Sequence, residues 1–216
     1  MSKDFWEKNA HPWNHAIQSH LVESRKITNP AIVEEILKQN VSSVLDMGCG
    51  EGWIASQILP LGIKYYGLDF SQKLIGFAKG SHADGVFEHV GYQEVVQGKW
   101  ENPIAFDLAV FNFSLFDEDV SPLLAKVASF IQPHGSILIQ TLHPRAALDP
   151  YEDGWRTEDF KTFPVPFEGT MRWYGRTFES WEQTFSKSGL KLQKTVEPLN
   201  PETKKALSVI FSLARK

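Results

Sequence analysis

Apolar residues recur along this chain in two rhythms, and together they predict an α/β protein. Short apolar runs read as strands at 41–45, 64–69, 86–90, 136–142, 190–196 and 206–213. The run 106–116 is nearly continuous in apolar residues, which suits a strand buried on both faces. Helical stripes separate these runs. Ile32, Val33, Ile36 and Leu37 mark a helix over 29–38, with Asn29 as its cap and Pro30 at the first helical position. Ile54, Ile58 and Leu59 mark a second helix, and Leu74, Ile75 and Ala78 a third over 71–79. A fourth covers 120–131, closed by Pro133-His134-Gly135, and a fifth covers 179–187, with Trp181 and Phe185 four apart.

Two stretches fall outside this alternation. Residues 1–28 hold Phe5, Trp6, His11, Trp13, His15 and His20 in a short polar leader. Pro12 is expected to break it, while Ile17, Leu21 and Val22 form one face of a short helix. His11 and His15 are four apart and would share a helix face. Pro12 between them and the lack of a nearby carboxylate argue against a metal site, and none is predicted. Residues 143–176 are too long for a plain connection and carry four prolines among many aromatics. That composition predicts an ordered cap, with a short strand within 168–174.

Composition narrows the class. The chain has 216 residues, which fits one domain, and 42% of them are hydrophobic, enough for a full core. Its net charge is -4 and no basic run is present, so a nucleic acid is not expected as partner. Cys49 is the single cysteine, which excludes a disulfide framework. No apolar run reaches the length of a membrane span and no signal peptide is recognisable, so no membrane and a cytoplasmic location are expected.

The chemistry concentrates where the first strand ends. Asp46-Met47-Gly48-Cys49-Gly50-Glu51-Gly52 puts an acid ahead of three alternating glycines, and a helix follows. Such a turn lets a ligand approach the main chain and offers it the N–H groups of a helix start. A glycine-rich turn that binds nothing is the plain alternative. A dinucleotide fingerprint would place its last glycine three residues after the second, and here the spacing is two. The motif instead resembles motif I of the class I S-adenosylmethionine (SAM) methyltransferases.

That resemblance covers about 29–142 and 177–216. It implies a seven-stranded, mostly parallel sheet with helices on both faces and an antiparallel last strand. It also implies SAM as cofactor and one methyltransferase domain over 1–216, with a lid at about 1–28; it gives no guide to 143–176, which is read as a substrate cap from its length and its aromatic and proline content. Asp46, Gly48, Cys49 and Gly50 would hold the cofactor. Asp69, with Phe70 and Ser71 after it, stands where the family binds the ribose hydroxyls; a helix N-cap is the alternative role for Asp69. The family often has an acid near the adenine amine, where this chain has Gly91 and Tyr92, so Tyr92 and Gln93 are the candidates there. Asn112 and Phe113, at the end of the fourth strand, resemble motif IV and would face the cofactor, with Ser114 on the substrate side.

The reading is therefore an enzyme transferring a methyl group to an oxygen, nitrogen or carbon of a small molecule. Such a displacement relies mainly on alignment, and a base is needed only for a neutral hydroxyl or a charged amine. His143 is the candidate base; ordering the turn at Pro144 is its other possible task. His11, His15, Arg145, Trp173 and Tyr174 are the substrate-side candidates, each with a packing or solvated role as the alternative. Two further classes stay open: a catalytically inert SAM-binding protein and a nicotinamide-dependent oxidoreductase. The acceptor and the oligomeric state are not legible.

Overall fold

The computed structural model describes residues 2–101 and 103–216. Its centre is a seven-stranded sheet in the order β3-β2-β1-β4-β5-β9-β8. The strands are β1 (Ser43–Met47), β2 (Lys64–Asp69), β3 (Val86–His89), β4 (Phe106–Asn112), β5 (Ile131–Leu142), β8 (Leu190–Val196) and β9 (Ser208–Arg215). The first five run parallel, and β9 lies antiparallel between β5 and β8. This is the predicted class I methyltransferase architecture.

Strand alternation divides the core in two. Val44, Leu108 and Val110 point to one face and pack with Ile32, Ile36, Ile54, Ile58 and Ile75. These come from helices α3 (Arg25–Lys38), α4 (Trp53–Ile58) and α5 (Gln72–Ser81). Leu45, Ala109 and Phe111 point to the other face and meet Val95, Leu124, Val127, Trp181 and Phe185. Those belong to α6 (Tyr92–Val96), α7 (Ser121–Ala128) and α9 (Phe178–Lys187). Each central strand is covered twice, which is why its sequence reads as a continuous apolar run.

Several boundaries differ from expectation. Pro12 does not break the leader, which forms α1 (Ser2–Lys8) and α2 (Ala10–Gln18). Pro12 is the third residue of α2, where a helix N–H has no partner within the helix in any case. Asn29-Pro30 does not open α3; the helix starts at Arg25 and carries Pro30 inside. Its first turn is tied instead by Ile27 and Thr28 N–H groups to the Ser24 carbonyl. β4 stops at Asn112, because Phe113 takes a left-handed conformation, φ 53°, and turns the chain. Pro133-His134-Gly135 lies inside β5, which starts at Ile131 and shifts register against β4 between Phe106 and Leu108. A Cβ on Gly135 would sit 2.5 Å from the Asp107 carbonyl oxygen, so the shift requires glycine there. Ala206 makes only an isolated bridge to Leu199, and the last strand runs two residues further on than predicted.

The 143–176 stretch is ordered. A short helix α8 (Pro144–Ala147) leads to a separate antiparallel hairpin of β6 (Gly154–Glu158) and β7 (Met171–Gly175). β7 matches the predicted strand, while its partner β6 was not foreseen. The hairpin's connecting loop returns to the N-terminal helices. Asn9 Nδ2 donates to the Glu168 carbonyl at 3.0 Å and Asn9 Oδ1 accepts the Glu168 N–H at 2.7 Å. Phe5, Phe160 and Phe167 stack within 5.0–5.9 Å of one another. The N-terminal helices and the hairpin's loop are therefore joined by both hydrogen bonds and ring packing.

Candidate functional site

The glycine turn leaves β1 and folds back on β2: the Gly48 and Cys49 N–H groups both donate to the Leu68 carbonyl. Gly48, Gly50 and Gly52 all have positive φ, between 59° and 82°, which only glycine adopts freely. Their surroundings differ. A Cβ on Gly48 would lie 2.5 Å from Ser114 Cβ and 2.7 Å from the Tyr92 hydroxyl. A Cβ on Gly52 would meet His82, Phe87 and Ala78 at 3.0–3.2 Å, where α4 starts against α5 and β3. At Gly50 only Trp13 Nε1 comes near, at 3.9 Å, so Gly50 is the member of the turn whose face is open to a ligand.

Cys49 fills the space left by a residue lacking a side chain on the next strand. A Cβ on Gly67 would lie 2.7 Å from Cys49 Sγ. Burial, then the charges of Asp69, Asp46 and Glu51, push the thiol well above its ordinary pKa. The side chain is a packing element rather than a nucleophile.

Three buried carboxylates surround the turn. Asp46 accepts a 2.6 Å hydrogen bond from the Tyr65 hydroxyl. Asp69 accepts from the Gly50 N–H at 2.9 Å and from the Ser71 N–H at 2.8 Å. It thus fixes the turn while Ser71 Oγ, which accepts the Leu74 N–H, is the side-chain cap of α5. Glu51 accepts from the Trp13 indole at 2.8 Å. Burial is the largest cause that raises all three, Asp46 and Glu51 to about 7 and Asp69 to about 6. Asp46 Oδ1, Glu51 Oε1 and Asn112 Oδ1 are buried with no hydrogen-bond partner. Buried acceptors of this kind are costly unless a ligand completes them.

The cation that bears on Glu51 is Arg25, whose charge acts to lower the Glu51 pKa. Arg25 lies over the Phe113 ring, 4.4 Å from its centroid, and 5.6 Å from that of Trp13. Its hydrogen bond to Asn29 is long, 3.4 Å. Burial lowers its pKa to about 10 despite the nearby Glu51 charge. Arg25, Glu51 and Trp53 share the wall of a cleft of about 1010 Å³ between α2, α3 and α4. Trp13 and Glu51 stand in stretches the sequence marks but are not among its site candidates, and Arg25 is not marked at all. Arg25 was hidden because the helix was expected to begin after it.

The remaining candidates take varied places. Tyr92 and Ser114 donate to the Met47 carbonyl, at 3.0 and 2.7 Å, and brace the turn from beneath. Phe70 places its carbonyl 2.7 Å from His89 Nε2, and Gln93 is exposed. Trp173 and Tyr174 line a cavity of about 50 Å³ together with Phe113, Phe116 and Thr141. His143 is buried, with Nε2 3.2 Å from Glu197 and its ring edge-on to Phe178. Its carbonyl accepts the Ala146 and Ala147 N–H groups and so starts α8, the turn-ordering task. Its Nδ1 is buried without a partner. Three candidates lie outside this cluster on the surface. His11 is exposed against Phe77, His15 is exposed beside Ser19, and Arg145 is exposed over Tyr151.

Comparison with known proteins gives consistent matches. The profile of a family described as methyltransferase domain matches residues 6–195. A ubiquinone biosynthesis O-methyltransferase of Rhodopseudomonas palustris is 28% identical over 142 residues, 65% of this chain and 51% of that protein. The chain thus spans about half the length of the curated relatives it matches. A S-adenosylmethionine dependent methyltransferase from Mesorhizobium loti superposes with a TM-score of 0.65 at 23% identity, covering 86% of this chain and 96% of the other. Magnesium protoporphyrin IX methyltransferase from Synechocystis, solved with bound SAH, gives a TM-score of 0.69 at 15% identity, covering 99% and 97%. At such identities the structural matches bear on the fold.

Proposed function

The chain belongs to the methyltransferase domain family, and from that premise we propose that it transfers the methyl group of SAM to a small-molecule acceptor. The observation that carries this reading is the set of buried, partnerless oxygens of Asp46, Glu51 and Asn112, at the ends of β1 and β4 and within the glycine turn, together with the open face of Gly50. A cationic, hydrogen-bonding ligand complements them, and a nicotinamide dinucleotide, with its pyrophosphate, does not.

When bound, the cofactor supplies an electrophilic methyl on a positively charged sulfur. The chain's own residues hold and orient it. Asp69 would hold the ribose hydroxyls with the lone pairs left beside its two backbone bonds. Glu51 would pair with the ammonium and Arg25 with the carboxylate of the amino-acid end, which would give each buried group an unlike charge. Asp46, Gly48, Cys49 and Gly50 shape the turn beneath, and Phe70, Ser71, Tyr92, Gln93, Asn112 and Phe113 complete the cofactor side. On the acceptor side stand Ser114, Trp173 and Tyr174. His143 Nδ1 is the group that would take a proton from a neutral hydroxyl. His11, His15 and Arg145 reach the acceptor only if the cover rearranges. Residues 1–28 act as the lid and 143–176 as the cap, excluding water from the reacting atoms. A cytoplasmic location and the absence of a nucleic acid partner belong to the same proposal. Among the described residues no helix is long and apolar enough to cross a membrane.

Titration calorimetry with SAM tests the reading. The parent protein binds SAM and not NADH. Asp69→Ala loses on the order of 1.5–3 kcal/mol of SAM affinity through charge-assisted hydrogen bonds. Undiminished affinity in Asp69→Ala, or binding of NADH alone, overturns it.

A further inference from the structure

The methylation reading leaves a second buried arginine unexplained. Arg176 follows β7 and is 3% exposed. Its Nη2 donates to the carbonyl oxygens of Asp117 and Glu118, the latter at 2.8 Å. The rings of Trp181 and Tyr174 flank the guanidinium, with centroids 4.8 and 5.2 Å away. Its Nη1, with two N–H donors, is buried and has no partner. Among the described residues no carboxylate lies within ion-pair distance of it. Burial lowers its pKa even though Tyr174, Asp153, Asp119 and Asp117 act to raise it. A buried guanidinium with half its fork unused is expensive to keep unless an anion joins it.

Arg176 also lines the cavity of about 50 Å³ that Phe113, Phe116, Thr141, Trp173 and Tyr174 enclose. Phe113 belongs to the cofactor side as well, since Arg25 lies on its ring. The cavity therefore shares one wall residue with the side on which the cofactor is proposed to lie. It has room for about one or two waters, which is the scale of a carboxyl group. Its aromatic walls suit the flat carboxyl group, and the body attached to that group would lie outside the cavity.

We propose that the acceptor is an organic acid whose carboxylate is held by Arg176 Nη1 in the cavity under the β6–β7 hairpin. The proposal rests on the methyltransferase reading and gives it a substrate class. A primary amide offers a guanidinium one neutral acceptor oxygen and turns its own N–H donors toward the rest of the fork, whereas a carboxylate offers two charged acceptors, so the site distinguishes acids from their amides. Arg176 is a binding residue here, and it positions the acceptor without taking a proton.

The test uses the full chain saturated with SAH. Benzoate, phenylacetate and cinnamate are titrated calorimetrically, each beside its own primary amide. At least one acid binds about tenfold or more tightly than its amide in the parent protein. Arg176→Gln brings that pair to within about twofold while SAH affinity changes by less than about twofold. Arg176→Lys keeps the charge and can still hold the 117–118 loop, but it lacks the fork. It lowers the preference by about threefold or more, and it decides the matter if Arg176→Gln does not fold by far-UV circular dichroism. Acids that all bind no tighter than their amides, or a preference that survives both substitutions, overturn the proposal. Failure of the parent protein to bind SAH is a different result, and it removes the cofactor reading instead.

Discussion

If Glu51 pairs with the ammonium of SAM as proposed, cofactor binding acquires a pH dependence of known sign and size. Its carboxylate is 5% exposed and one oxygen has no partner. Burial raises its pKa from 4.5 to about 7, outweighing the Trp13 hydrogen bond and the Arg25 charge, which lower it. A cationic ammonium beside it favours the ionised form, so binding SAM releases the proton. Affinity must then rise with pH and level off above about 7. Between about pH 8 and about pH 6 the protonated fraction of such a group climbs from about a tenth to about nine tenths. The ionised fraction falls about tenfold, so apparent affinity falls about tenfold, or about 1.4 kcal/mol. If Asp46, also near 7, is neutralised by the same ligand, the fall approaches about a hundredfold. The assay is calorimetric titration at both pH values on the parent and on Glu51→Gln. The variant binds more weakly at about pH 8, and its affinity changes about tenfold less across the interval than the parent's. Equal affinity at the two pH values, or an unaltered pH slope in Glu51→Gln, refutes the reasoning. The sign for the free protein is the reverse. A carboxylate with a raised folded pKa binds its proton more tightly when folded, so its contribution to stability declines as pH rises from about 4.5 through about 7. For Glu51 that amounts to about 3 kcal/mol over the whole range, and thermal stabilisation by SAM is correspondingly larger at about pH 8.

Further outcomes follow from the geometry. Gly48→Ala forces a Cβ into Ser114 and Tyr92 and costs about 1–3 kcal/mol in chemical denaturation; a stability equal to the parent's contradicts the packing described. Cys49, buried with its pKa raised, resists a thiol reagent in native protein and reacts on unfolding, so prompt native labelling would show that the turn opens readily. Asn9→Ala removes both bonds to Glu168 and accelerates amide exchange in α2 and in 159–168 together. Acceleration in only one of them would mean that lid and cap move separately.

The sheet was legible because its strands are short apolar runs set apart by helical stripes: β1 to β5 each overlap the run that predicts them, while β4 ends four residues early and β5 begins five residues early. The glycine turn was legible because three positive-φ positions within five residues strongly favour glycine at each. What escaped depends on tertiary contacts. Arg25 gains meaning only from Phe113, which lies 88 positions later and is turned by a positive φ that no residue type there announces. Pro30 misled because a proline inside a helix looks like one at its start until the preceding turn finds other partners. β6 carries no apolar alternation, since its partner is a single strand and much of it faces solvent. Gly48 and Gly50 share a motif but differ in task, and only their neighbours separate the packing glycine from the open one.

The joint between Asn9 and Glu168 has a kinetic consequence. With α2 tied to Glu51 through Trp13, and the cap tied to α2's leading residue, one opening event would admit both ligands. On the lid reading, spent cofactor and methylated product share a single exit clock. Their release rates would then respond in parallel to temperature and viscosity, and turnover would be paced by the shutter rather than by either ligand's own grip.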